Sequence, residues 1–240
     1  MNRLEGKAKA SYVNALFARI ARRYDFMNGV MTGGRHHAWR RLAVRLAASP
    51  GDTRALDVAC GTGDFALDLA RYPLEQVVGV DFCLEMVVLA RQKAERLRLA
   101  PRVSFSLADA LALPFPNERF NLVTVGFALR NVADLQRALE EMYRVLRPGG
   151  RLVSLELTPL QGGALSPLIH LYMDRVLPLL GRLLARDAEA YTYLPNSVTD
   201  FPTAEGLADA LRQVGFARVQ LRRLALGTVA LHIGTKEPAP

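Results

Sequence analysis

The sequence predicts a doubly wound α/β fold: a Rossmann-like seven-stranded sheet with its last strand antiparallel, extra N-terminal helices and a helical insertion. Three observations carry this. Ala55-Leu56-Asp57-Val58 reads as a buried strand entering the glycine turn Gly61-Thr62-Gly63. Strand and helix patterns then alternate as far as residue 214. The chain closes on two alternating runs, 217–223 and 228–235, that fit an antiparallel pair around Leu226-Gly227-Thr228.

In chain order, periodicity places helices near 10–24 and 36–48, and Ser49-Pro50-Gly51-Asp52 breaks into the core. Val13, Leu16, Phe17 and Ile20 follow the i, i+3, i+4, i+7 spacing of one buried stripe. Helix 64–71 and strand 76–80 complete the first β-α-β unit, and Glu85–Leu97 forms the next helix. Strand 102–107 runs out at Asp109-Ala110, and strand 120–126 runs into Phe127-Ala128-Leu129-Arg130-Asn131. Leu135–Leu146 reads as a helix stopped by Arg147-Pro148-Gly149-Gly150, and strand 151–157 follows. Helix 204–214 ends at Gly215-Phe216. This makes effectively one domain, with residues 1–50 a helical lid segment, 51–240 the core and an insertion at about 160–200.

At 240 residues, half of them hydrophobic, the chain can bury a full core and is not expected to be disordered. Cys60 and Cys83 lack metal or disulfide-framework spacing, which suits a reducing cytosol. No secretory h-region opens the chain. The apolar stretch Leu165–Ala185 is interrupted by Pro167, Asp174, Arg175, Pro178 and Arg182, a poor membrane span. The net charge of +8 belongs entirely to residues 1–50, where ten Lys or Arg meet two acids. That excess suits a solvated face, an anionic membrane surface or nucleic acid. The aromatics Tyr12, Phe17, Tyr24, Phe26 and Trp39 interleave with it, but the helical stripe argues against a stacking platform. His36 and His37, adjacent on a helix, are expected to face different ways and share no metal, and His232 in an apolar strand reads as a core histidine.

Gly61 and Gly63 let backbone approach a ligand, and Asp81, 18 residues beyond Gly63, stands where such folds place an acid for ribose hydroxyls. Gly61-Thr62-Gly63-Asp64-Phe65-Ala66 fits a dinucleotide fingerprint too, so spacing alone leaves NAD and S-adenosylmethionine open. Asp57 and Asp64 tip the choice: carboxylates oppose a pyrophosphate at a helix N-terminus and suit the sulfonium and ammonium of S-adenosylmethionine. Asp57, Asp81, Asp109 and Gly126 are all at strand ends, where such sheets bind ligand.

Further segments are Ala21-Arg22-Arg23-Tyr24-Asp25-Phe26-Met27-Asn28, Gly79-Val80-Asp81-Phe82, Leu113-Pro114-Phe115, Phe127-Ala128-Leu129-Arg130-Asn131-Val132 and Val229-Ala230-Leu231-His232. With them the chain resembles class I S-adenosylmethionine methyltransferases, and more narrowly the ubiquinone/menaquinone C-methyltransferases called UbiE or MenG. Ala59, Ala128 and Gly126 depart from the usual Gly, Gly and Ser by a methyl or a hydroxyl. The resemblance implies cofactor contacts at Thr62, Asp81, Asp109, Ala110 and Gly126, to which Asp57, Gly61, Gly63 and Phe82 are added. Asp81 can accept the ribose hydroxyls, Asp109 the adenine amino group, and the Ala110 N–H can donate to a ring nitrogen.

The implied reaction is C-methylation of demethylmenaquinol, with the ubiquinone-pathway benzoquinol as the close alternative. A nucleic-acid methyltransferase and a non-catalytic quinone-pathway scaffold are the more distant readings. Arg130 is expected to stabilise a phenolate and Asn131 to orient a quinol oxygen; a local Arg130–Asp134 pair is the competing reading. Tyr24, Tyr172 and Tyr191 are expected over the substrate, and Met27, Met31 and Met173 along a polyprenyl channel. The expected setting is cytoplasmic, peripheral at the inner membrane face. The expected partners are a polyprenylated quinol, the membrane surface and a second copy of the chain, with no nucleic acid and no metal.

Overall fold

The computed structural model describes residues 6–160 and 188–238, with side chains left aside at 188–192. Two helices, α1 (Gly6–Thr32) and α2 (Arg35–Ala47), precede the sheet. The core runs β1 (Arg54–Val58), α3 (Asp64–Leu69), β2 (Gln76–Asp81), α4 (Leu84–Arg96), β3 (Val103–Leu107) and β4 (Phe120–Gly126). A 3-10 turn at Leu129–Asn131 leads to α5 (Leu135–Val145) and β5 (Leu146–Leu157). After the segment outside the described residues come α6 (Ala188–Thr199), α7 (Ala204–Val214), β6 (Arg218–Leu224) and β7 (Val229–Thr235).

The seven strands order as β3-β2-β1-β4-β5-β7-β6. β1 pairs in parallel with β2 on one side and β4 on the other, so the strand order reverses at β1. A crevice opens at such a switch point, beyond the carboxyl ends of the strands. β7 runs antiparallel to both β5 and β6, as the closing pair of alternating runs predicts. Because both faces of the sheet are covered, the central strands are mostly apolar, with Leu56, Val58, Leu122, Val123, Val125, Leu152 and Val153 buried beside the buried polar residues Asp57, Thr124, Ser154 and Glu156.

Helix boundaries follow local chemistry. In α5 the Asp134 side chain accepts from the Arg137 N–H at 2.9 Å, and Ala138, Leu139, Met142 and Val145 form the stripe laid on the sheet. In α7 Thr203 caps the Gly206 N–H at 3.1 Å, and Gly215 ends the helix at φ +116°. The Arg147-Pro148-Gly149-Gly150 stop is carried inside β5, as an irregularity between the Phe120–Leu146 and Leu122–Arg151 pairs. α1 is longer than its periodicity suggests, running to Thr32. No described helix is long and apolar enough to cross a membrane.

Candidate active site

Two contiguous clefts, with about 870 and 1250 Å³ of open space, meet at the switch point. Ala59 and Gly61 beyond β1, Gly126 at the end of β4 and Phe127 beyond it, and Phe17 and Tyr24 from α1 line both of them. The first cleft adds Asp81, Phe82, Asp109, Ala110 and Asn131; the second adds Asp57, Thr62, Arg130, Met31 and Tyr193. Ala59 and Phe127 take left-handed backbone at φ 52° and 57°, so the chain turns sharply at both strand ends where the clefts join.

In the first cleft Asp81 is held by backbone donors: Oδ2 accepts from the Gly61 N–H at 2.7 Å and Oδ1 from the Cys83 N–H at 2.9 Å. Each oxygen keeps acceptor capacity, which fits paired hydroxyls. Burial raises the Asp81 pKa, and these amides work against that rise. Asp109 is exposed, and its Oδ1 accepts from the Leu111 N–H at 2.9 Å. Phe82, 47% exposed, offers an apolar face beside them. Two carboxylates and an aromatic face at the neighbouring ends of β2 and β3 fit the ribose and base of a nucleoside.

The glycine loop is held by charge. The Thr62 hydroxyl donates to Asp25 Oδ1 at 2.5 Å and accepts from Lys93 Nζ at 3.1 Å. Lys93 also pairs with Asp25 and Asp64, and Arg40 pairs with Asp64 at 2.8 Å. Burial pushes the Asp64 pKa up, but Arg40 and Lys93 outweigh it and leave Asp64 below its ordinary value. The expected use of Asp64 to attract the cofactor's cationic groups is therefore corrected: two cations of the chain already offset it. Asp57, 1% exposed, accepts from Thr124 at 2.7 Å and from the Ala66 N–H at 3.0 Å, tying β1 to β4 and α3 beneath the second cleft. Burial raises its pKa to about 7.

Gly63 lines neither cleft; its φ is +85°, and a Cβ there would stand 2.8 Å from the Phe105 ring. Its place is in close packing of the loop on β3. Gly61, at φ +55°, faces both clefts and has room beside Tyr24.

Arg130 lines the second cleft from the 3-10 turn, and its partner is Glu156 at the end of β5, 2.6 Å away. The alternative partner Asp134 is occupied as the cap of α5. Lys9 of α1 donates to the Arg130 and Val132 carbonyls at 3.2 and 2.7 Å, fixing the turn from above. Asn131 Oδ1 accepts from the Tyr193 hydroxyl at 3.1 Å. Tyr193 is the residue that sequence reading missed; it lies two positions beyond Tyr191 in a Tyr-Thr-Tyr run, a signal that could have flagged it. Tyr191's side chain and all of Tyr172 and Met173 lie outside the described residues. Met27, 1% exposed, packs with Leu16 in the α1 cluster and lines neither cleft, whereas Met31 one turn later does.

His36 and His37 do not diverge as expected: their ring centroids are 4.0 Å apart, and with Asp64 their ligand atoms lie within 4.8 Å of one another. Arg40 fills that position, bonding His37 Nδ1 and Asp64 Oδ2 at 2.8 Å each. His232 is fully buried, with Nε2 2.7 Å from the Ala204 carbonyl oxygen, as a core histidine.

The fold is similar to that of solved structures: the [4+2]-cyclase SpnF has a TM-score of 0.73 at 19% identity, covering 99% of this chain and 98% of that one. A methyltransferase of Thermotoga maritima, described as S-adenosylmethionine-dependent and a possible histamine N-methyltransferase, has a TM-score of 0.64 at 20% identity, covering 93% and 99%. A demethylmenaquinone methyltransferase of Deinococcus radiodurans is 46% identical over 229 residues, 95% of this chain and 94% of that one. The model of the ubiE/COQ5 methyltransferase family matches residues 5–236, and the chain belongs to that family.

Proposed function

We propose that this chain transfers a methyl group from S-adenosylmethionine to a ring carbon of demethylmenaquinol. The observation that carries the reading is the pair of joined clefts, with Asp81 and Asp109 on the β2–β3 side and, in the second, apolar walls beside Arg130 with Asp57, Asp64 and Arg40 at its glycine-loop end. The relative from Deinococcus, named for that reaction, points to the same substrate.

In this reading Asp81 takes the ribose hydroxyls, Asp109 and Ala110 the adenine edge, with Phe82 against the base and Gly61, Thr62 and Gly126 along the methionine end. Asp57 supports the loop from below. S-adenosylmethionine supplies an electrophilic methyl on a sulfonium. A ring hydroxyl gives its proton to solvent and Arg130 stabilises the phenolate; the ring carbon would then take the methyl as the S–C bond breaks to leave S-adenosylhomocysteine, and loss of that carbon's hydrogen with reprotonation of the oxygen restores the aromatic quinol, one net proton passing to solvent. An arginine with a pKa above about 12 holds its proton, so its part is donation. Asn131, oriented by Tyr193, donates through its amide to a quinol oxygen. Tyr24 closes the boundary between the clefts, and burial keeps its hydroxyl protonated by raising its pKa. A low-water site strengthens each of these interactions.

The polyprenyl tail leaves along Ile20 and Met31. Exposed Phe26 and Val30, beside exposed Arg22 on α1, give that end an apolar and cationic face suited to an anionic membrane surface. Quinone analysis of cells lacking the protein tests the substrate. Demethylmenaquinone should accumulate and menaquinone disappear; an unchanged quinone pool refutes the reading, and accumulation of a ubiquinone precursor moves it to the benzoquinol.

A further inference from the structure

We propose that Glu156 is a positioning residue for the methyl transfer, fixing the Arg130 guanidinium against the substrate cleft. The inference rests on the reading of Arg130 given above. Glu156 is fully buried at the end of β5, between Leu155 and Leu157. A carboxylate there costs several kcal/mol unless it is paired, and apolar residues in place of such a pair are often neutral or stabilising. Stability alone therefore gives little reason for a glutamate at this position.

Its contacts give one. Glu156 Oε1 accepts from Arg130 NH1 at 2.6 Å and from the Leu157 N–H at 2.9 Å, and Oε2 accepts from the Arg130 backbone N–H at 3.4 Å. The Phe127 carbonyl takes the same NH1 at 2.5 Å. One nitrogen of the guanidinium is thus anchored to two acceptors and the turn's own backbone to a third. Arg130 Nε is buried and takes no hydrogen-bond partner among the described residues. Nη2 likewise takes no partner among the described residues but, unlike Nε, is not buried, so it is the donor open to an oxyanion in the cleft.

Glu156 lines neither cleft and its Oε1 already takes two donors, so it acts through Arg130 rather than as a base. It also cancels the arginine's charge, which lets a guanidinium sit beside a cleft that receives a cationic methyl donor without repelling it. The donors stay aimed while the net charge of the pair stays at zero.

Glu156→Gln keeps the length and removes the charge; Glu156→Asp keeps the charge and withdraws it by one methylene. Misplacement by about 1 Å can cost about 100-fold in rate. In either folded variant kcat should fall at least about fivefold while the quinol KM and cofactor Kd stay within about threefold of wild type. A kcat loss below about fivefold, or a parallel weakening of either ligand beyond about threefold, overturns the proposal. Wild-type protein measured alongside separates the two claims. Absence of wild-type turnover on reduced demethylmenaquinone refutes the substrate reading; wild-type turnover with an unaltered Glu156→Gln refutes only the role of Glu156.

Discussion

The Thr62 hydroxyl lies 2.5 Å from Asp25 Oδ1, joining helix α1 to the glycine loop across 37 positions of sequence. Lys93 completes the junction, 2.6 Å from Asp25 Oδ2 and 2.7 Å from Asp64 Oδ1. The helix that roofs both clefts is therefore fastened to the loop on which the cofactor's methionine end is proposed to rest. Because Asp25 is half-exposed, the ion pair itself adds little stability.

Asp25→Ala should leave the protein folded and weaken S-adenosylmethionine binding about three- to tenfold, or about 0.7–1.4 kcal/mol. Isothermal titration calorimetry checks this, and faster amide exchange along α1 should accompany it. An unchanged Kd would show that the junction does not serve the cofactor.

Arg130→Gln and Asp81→Ala should fail in different ways. The first should lower kcat about 100-fold with cofactor Kd within about threefold, as loss of a transition-state donor does. The second should raise cofactor Kd by at least about tenfold. Loss of cofactor binding in Arg130→Gln would remove that residue from the substrate side.

Asp57 carries a pH prediction. Burial lifts its folded pKa to about 7, above the ordinary carboxylate value of an unfolded chain. Between about pH 4 and 7 the folded state then holds a proton that the unfolded state releases, so stability falls as pH rises through that window. Thr124, the Ala66 N–H, Arg40 and Asp81 all act on the group. Asp57→Asn removes the charge, its oxygen accepting from the Ala66 N–H while its amide donates to the Thr124 hydroxyl in place of accepting from it. Urea unfolding at pH 5 and pH 8 should show the variant gaining on wild type by about 2–3 kcal/mol between the two. An equal difference at both pH values would contradict the raised pKa.

A Cβ on Gly79 would lie 2.5 Å from the Phe105 ring and 3.2 Å from Cys60 Sγ. Gly79→Ala should therefore cost about 1–3 kcal/mol, as overpacking does. Phe105→Leu should recover part of that loss in the double variant, read as a non-additive thermal midpoint.

The sheet was legible because its strands are continuous apolar runs ending in carboxylates, and Asp57 and Asp81 stand at the ends of β1 and β2. What escaped was the set of partners brought in from distant sequence. Arg130 pairs with Glu156, 26 positions away, because the turn after β4 lies against the end of β5; a local rule points to Asp134. Asp64 read as a free anion because Arg40 and Lys93 reach it only once α2 and α4 are packed. Met27 and Met31 share a helix and one apolar cluster, and only the packed fold shows Met27 buried and Met31 on the cleft wall.

Methyl transfer by the purified protein tests the central claim most directly. With S-adenosylmethionine labelled on its methyl group and chemically reduced demethylmenaquinone, label should appear on the ring carbon of menaquinone, and Arg130→Gln should suppress it. No label in the quinol, with efficient labelling of RNA or DNA in its place, would contradict the account.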